Sequence, residues 1–202
     1  MKQQAIVGPP SFTIDATAWH EEGATIAQEI AWSINHAFAL CDEMKKHGMS
    51  AHDVMQRMTV RMSLAQDPLM QAAKIKALRV LWARMMRMLG AGDAPVIIHA
   101  QCSERMMTVQ EPWDNVLRVT AAVLASHLGG VTPIDTSRIA KYIPTTQEYA
   151  ETMLQHIEHV VALETGLGQY TDDVLAGSWV YEQWVDDLCK AAWNEVQREI
   201  RL

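Results

Sequence analysis

The stretch Val96–Asn115, VIIHAQCSERMMTVQEPWDN, decides the fold. It opens on a short apolar run, Val96, Ile97 and Ile98, and passes into His99, Gln101, Ser103, Glu104 and Arg105. Glu111-Pro112 then marks a helix start, because proline's missing N–H does no harm at the first helical position. A buried strand that ends in polar residues before a helix is one βα unit of a parallel α/β fold. In such units the residues just past the strand's C-terminal end face the site. The same residues also fit an ordinary solvated loop, so the pattern nominates a site without fixing it.

The units on either side repeat the pattern. Residues 1–10 read as an irregular leader ending at Pro9-Pro10, and 11–202 as a single domain. Ser11 to Trp19 reads as a strand, with Phe12, Ile14 and Ala16 alternating against polar neighbours. A long helix follows, with Ile26, Ile30, Ile34, Phe38 and Cys41 on one stripe and Gly48 as its stop. Ser50 and Asp53 suit a capping box, and Arg57 to Leu64 reads as a second strand. Asp67-Pro68 starts another helix, with Ala72, Ile75, Leu78, Trp82, Met85 and Leu89 inward and Lys76, Arg79 and Arg87 in solvent. Downstream come a helix from Pro112 to about Leu128, a weak strand Val131–Asp135, and a helix capped by Thr145 and Glu148. A last amphipathic helix runs from about Glu182 to Ile200. Strand and helix thus alternate about four times, the equivalent of the second half of a TIM (β/α)8 barrel plus a C-terminal helix.

Composition narrows the function classes. The 202 residues make one medium domain, and 49% hydrophobic with 20% charged residues is a globular balance. A net charge of −7 argues against a nucleic-acid surface. Cys41, Cys102 and Cys189 are odd in number with no CxxC, which reads as reduced thiols in a cytoplasmic protein. The start MKQQAIVGPP has no apolar core for a signal peptide, and the most apolar helix is interrupted by Arg118 and His127, so no membrane span is expected. The 13 methionines suit core filling.

Local constellations of other chemistries are incomplete. His156 and His159 lack a third ligand, and His20-Glu21 lacks the second histidine of HExxH, so no metal site is expected. Ser103 has His99 nearby but no nucleophile elbow, so no triad is expected. Gly166–Gly168 is too short to cradle phosphate. Asp172, Asp173, Asp186 and Asp187 read as solvated, and Trp179, Trp184 and Trp193 as packing residues.

Four blocks carry a family resemblance: HEEGATIAQEIAWS, AAKIKALRVLWARM, QEPWDNVLRVTAAVLASHLGG and LETGLGQYTDDVLAGSWVYE. From about Phe12 to Ile200 the chain resembles the barrel domain of the methylmalonyl-CoA mutase family, the cobalamin-dependent acyl-CoA mutases. The resemblance covers only the second half of that barrel, and the cobalamin domain's DxHxxG signature is not found. It implies adenosylcobalamin as cofactor and an acyl-CoA as substrate, with the cofactor supplying the radical.

The resemblance also assigns residues. Arg57 falls in the family's RLS block, with Thr59 for its serine, and His99 and Gln101 fall in its HSQ-like block. These three are the candidates for a retained substrate- or cofactor-facing site. Ala18 stands where the family's SGYH block has its general-acid histidine. His20, two residues on along a strand, would lie about 6–7 Å away, beyond hydrogen-bond reach. Ser137 and Lys141 stand for the asparagine and glutamate that hold the adenosyl ribose, and a lysine ammonium cannot accept a hydrogen bond. Arg105 stands for the tryptophan over the corrin. SERMMT is closest to the non-catalytic small subunit. The expected function is a non-catalytic or structural half-barrel that associates with a partner chain or with itself. The alternative is a split-chain component of an active mutase, an isomerase working by radical chemistry. A half-barrel is further expected to expose two strand edges and an apolar interior.

Overall fold

The computed structural model describes residues 12–169 and 173–200. The leader expected at 1–10 lies outside the described residues. Four parallel strands lie side by side in chain order: β1 (Phe12–Asp15), β2 (Met58–Leu64), β3 (Ile97–Cys102) and β4 (Ile134–Asp135). Parallel neighbours need a crossover, and helices supply each one. α2 (Ile26–Lys46) lies between β1 and β2, α4 (Pro68–Met88) between β2 and β3, and α5 (Asp114–Leu128) between β3 and β4. Short helices α1 (Thr17–Glu21) and α3 (Ala51–Met55) flank α2, α6 (Gln147–His159) follows β4, and α7 (Trp179–Ile200) packs across α2 and α4. This is half of a βα barrel with a C-terminal helix, as the alternation of patterns predicts. The outer edges of β1 and β4 pair with no strand among the described residues.

The core sits on one side of the sheet. Ile14, Met58, Val60, Met62, Ala100 and Ile134 point toward the helices and are buried there. They meet the expected stripes: Ile30, Ile34 and Cys41 of α2, and Ala72, Ile75, Leu78, Trp82 and Met85 of α4. A fully buried side chain of this size contributes roughly 1.5–3 kcal/mol relative to exposure, so these stripes decide which way the helices face. Ser50 and Asp67 cap α3 and α4 as expected, accepting from the amides of Asp53 and Met70.

Several expectations need correction. The strand expected from Ser11 to Trp19 ends at Asp15, because the Asp15 carboxylate accepts from the Thr17 amide and hydroxyl and turns the chain into α1. β2 begins at Met58, leaving Arg57 outside it, and α5 begins at Asp114, beyond Pro112. The cap of α6 is Thr146, accepting from the Tyr149 amide, instead of Thr145. Trp184 and Trp193 pack against the core, but Trp179 is exposed.

The largest correction concerns the face away from the helices. Register places Thr13, Thr59 and Ile97 in one row, Asp15, Arg61 and His99 in the next, and Ser63, Gln101 and Asp135 in a third. This interior face is polar, with Ile97 its one large apolar residue, so the apolar concavity expected of a half-barrel is not there. The hydrophobic core closes without it.

Gly129, the C-cap of α5, is required for packing: a Cβ there would collide with the Ile75 side chain. Gly129→Ala should therefore destabilise the fold by about 1–3 kcal/mol through overpacking, read as a lower urea midpoint at unchanged m-value.

Candidate functional site

A connected polar chain lies at the C-terminal ends of the strands, where α/β folds place their sites. Asp15 ends β1, and the helical turn that follows carries His20 inward, where it is 8% exposed. Its Nδ1 lies 2.8 Å from Glu29 Oε1 in the first turn of α2. Its Nε2 lies 2.7 Å from Oγ of Ser103, the residue after β3. Glu29 Oε2 accepts from Lys74 Nζ of α4 at 2.7 Å, and that ammonium also donates to the Ser63 carbonyl at 2.8 Å. Glu29, Lys74 and Ser103 are wholly buried. A carboxylate only accepts, so Nδ1 of His20 carries a proton, and in the neutral ring Nε2 accepts the Ser103 O–H. Burial pushes the Lys74 ammonium below its ordinary pKa, and Glu29 opposes that shift.

This chain links residues far apart in sequence, so no local motif announces it. Ser103 pairs with His20 instead of His99, the histidine near it in the sequence. One signal was available: Glu29 and Lys74 are charged residues set beside Ile30 and Ile75, on the buried faces of their helices. A cavity of about 330 Å³ opens beside the chain, lined in part by His20, Glu29, Gln66, Ser103, Arg105 and Met106.

The candidates Arg57, His99 and Gln101 are not gathered together. His99 and Gln101 share the open sheet face in adjacent rows. Arg61, beside them, donates to Gln101 Oε1 at 2.8 Å and to Asp15 Oδ2 at 3.2 Å. Arg57 is exposed before β2, about 20 Å along the strand from the row of Gln101. Thr59 Oγ1, Ser63 Oγ and Gln101 Nε2 on this face are buried and find no partner among the described residues.

Ala18 is exposed on α1. His20 lies on the same helical turn, so the expected separation along a strand does not apply. It is held by Glu29 and Ser103 instead of facing the open sheet.

Lys141, which the resemblance sets at an adenosyl contact, joins an ion cluster around Glu104. Lys141 Nζ lies 2.6 Å from Glu104 Oε2, Arg138 lies 3.5 Å from Oε1, and the Tyr142 hydroxyl donates to Oε2 at 3.0 Å. The Lys141 bond, with those of its neighbours, holds the Glu104 carboxyl below its usual range. Arg105 donates to the His20 carbonyl at 2.6 Å, and its amide donates to Glu21. Burial pushes the Cys41, Cys102 and Cys189 thiols up, so none is poised as a thiolate. Among the described residues no group of three or more His, Cys, Asp or Glu could hold a metal, and no helix is long and apolar enough to cross a membrane.

A parallel sheet with helices on one face, no further strand at either edge among the described residues, and polar groups at its C-terminal strand ends defines the class: half of an α/β barrel. The family profile described as methylmalonyl-CoA mutase matches residues 6–201, and the chain belongs to that family. It is 31% identical over 196 residues to the probable methylmalonyl-CoA mutase small subunit of Mycobacterium bovis, covering 94% of this chain and 32% of that protein. It is 29% identical to the methylmalonyl-CoA mutase small subunit of Streptomyces virginiae, over 95% of this chain and 32% of that protein. The methylmalonyl-CoA mutase of Escherichia coli is 26% identical over 92% of this chain and 27% of its own length. The chain thus spans about a third of the small subunits it matches.

Two outcomes test the site. Lys74→Met, which leaves Glu29 buried without its cation, should cost about 3–5 kcal/mol of stability in urea unfolding, with partial recovery in the Glu29→Gln/Lys74→Met double variant. For Glu104, the folded pKa lies below the ordinary value of 4.5, so its contribution is present above that pH and is lost as pH falls through the folded value. The Tm deficit of Glu104→Gln should be full at pH 7 and shrink steadily below about pH 4.5.

Proposed function

We propose that this chain is a methylmalonyl-CoA mutase-like half-barrel, a component that is structural or non-catalytic in the mutase reaction. It completes a barrel with a complementing front half, on a partner chain or on a second copy of itself. We take residues 11–202 as the unit that does so. The observation that carries this reading is a sheet that, among the described residues, is covered by helices on one face only and has no strand beyond β1 or β4. Parallel sheets occur almost only with both faces covered. Thr59, Ser63 and Gln101 add to it, since buried polar atoms without partners cost free energy until they are satisfied. The polar face makes the expected contact a hydrogen-bonded one, in place of the apolar contact that barrel patterning suggests.

Adenosylcobalamin is the cofactor the family implies, but the residues here do not fit its adenosyl group. Lys141 is bound to Glu104 where an acceptor is needed, Ser137 is short, and Arg105 replaces an aromatic ring. The general-acid position is Ala18. We infer that this chain alone neither binds that cofactor nor carries out the family's radical rearrangement of an acyl-CoA. The family and the reduced cysteines support a cytoplasmic setting.

A second reading, a split-chain component of an active mutase, is favoured by one observation: His99 and Gln101 stand together on the open face. Arg57, His99 and Gln101 would then face an acyl-CoA or the cofactor in the completed barrel.

The test is co-expression with the front half-barrel of a related small subunit, followed by light scattering and titration with adenosylcobalamin and an acyl-CoA. The expected result is a stoichiometric complex or a self-associated species, with no change in corrin absorbance. A stable monomer that captures no front half would overturn the structural reading. Cobalt–carbon cleavage in the complex would establish the second.

A further inference from the structure

The buried polar chain has the parts and the order of an acyl-transfer triad. Ser103 Oγ sits 2.7 Å from His20 Nε2, and His20 Nδ1 sits 2.8 Å from Glu29 Oε1. These distances put nucleophile, base and orienting carboxylate within hydrogen-bond reach, and such a constellation is recognised by geometry and not by sequence order. Lys74 pins the far oxygen of Glu29, so the carboxylate cannot swing away from the imidazole. The Ser103 backbone is fixed as well, its amide donating to the Leu64 carbonyl at 2.9 Å. Ser103 and His20 both line the 330 Å³ cavity. Ser103 is itself wholly buried, and the size of the cavity whose wall it forms suits a short acyl group.

Arg105 lines the same cavity and is exposed. One of its guanidinium nitrogens donates to the His20 carbonyl. A guanidinium carries five N–H donors, so others remain to face a developing oxyanion. The nearby backbone amides cannot take that role, because those of Glu104 and Arg105 are engaged by Glu21.

We propose that Ser103, with His20 as base and Glu29 as its orienting group, is an activated nucleophile that takes the acyl group from short-chain carboxylic esters or thioesters. Ser103 Oγ bonds to the acyl carbon as its proton passes to His20 Nε2. The carbon–leaving-group bond breaks, and His20 returns that proton to the departing alkoxide or thiolate. Water then attacks the acyl-serine, giving its proton to His20 and releasing the carboxylic acid. His20 restores the Ser103 hydroxyl.

This activity does not depend on barrel completion or on any cofactor, so its test is separate from that of the structural reading. The purified full chain is treated with a small fluorophosphonate and followed by intact mass and peptide mapping, and with p-nitrophenyl acetate for burst release. The expected result is one phosphonate per chain, on Ser103, and a burst near one equivalent. Ser103→Ala should show neither, and His20→Gln should label at least tenfold more slowly, both with wild-type circular dichroism. A folded wild-type chain that remains unlabelled and shows no burst would overturn the proposal. So would an adduct on another residue, or a Ser103→Ala variant that labels like the wild type.

Discussion

The buried ion pair between Lys74 and Glu29 is the interaction on which the rest of the strand-end architecture depends. Two charges removed from water are costly, and they persist only where each finds its full set of partners. Here Lys74 reaches Glu29 and the Ser63 carbonyl, and Glu29 reaches Lys74 and His20. The pair therefore ties α2 to α4 and to β2, and through His20 and Ser103 it ties α1 to the end of β3. Five elements meet at one electrostatic knot. Their relative positions are fixed by hydrogen-bond geometry, which is more exacting than apolar contact.

The sheet carries a second constraint. Its helix-facing side is filled by Met, Ile, Val and Ala and is a finished core, whereas its other side carries Asp15, Arg61, His99, Gln101 and Asp135. Arg61 bridges Asp15 and Gln101, and its charge, with Ser137's hydrogen bonds, offsets the burial that would raise the Asp135 carboxyl. A face organised by its own charges needs no apolar cover, which is how the domain keeps a closed core while its sheet remains open. The Glu104 cluster with Lys141, Arg138 and Tyr142 ties the β3 loop to the turn after β4.

The sequence by itself determined the α/β class, the four units, the helix stripes and the caps at Ser50 and Asp67. These rest on local rules: apolar spacing at 3.6 or 2 residues, and a side chain satisfying an amide three residues on. It also determined the family, because separated blocks in order survive as text. Only the tertiary structure decided which groups meet. Ser103 and His20 are 83 positions apart, and Glu29 and Lys74 are 45 apart, so no spacing rule can join them. The fold alone separated Arg57 from His99 and Gln101, because a strand carries residues apart at a fixed rise while its register brings distant ones level. It alone made the open face polar, since which parity of a strand faces the helices depends on packing across the whole sheet.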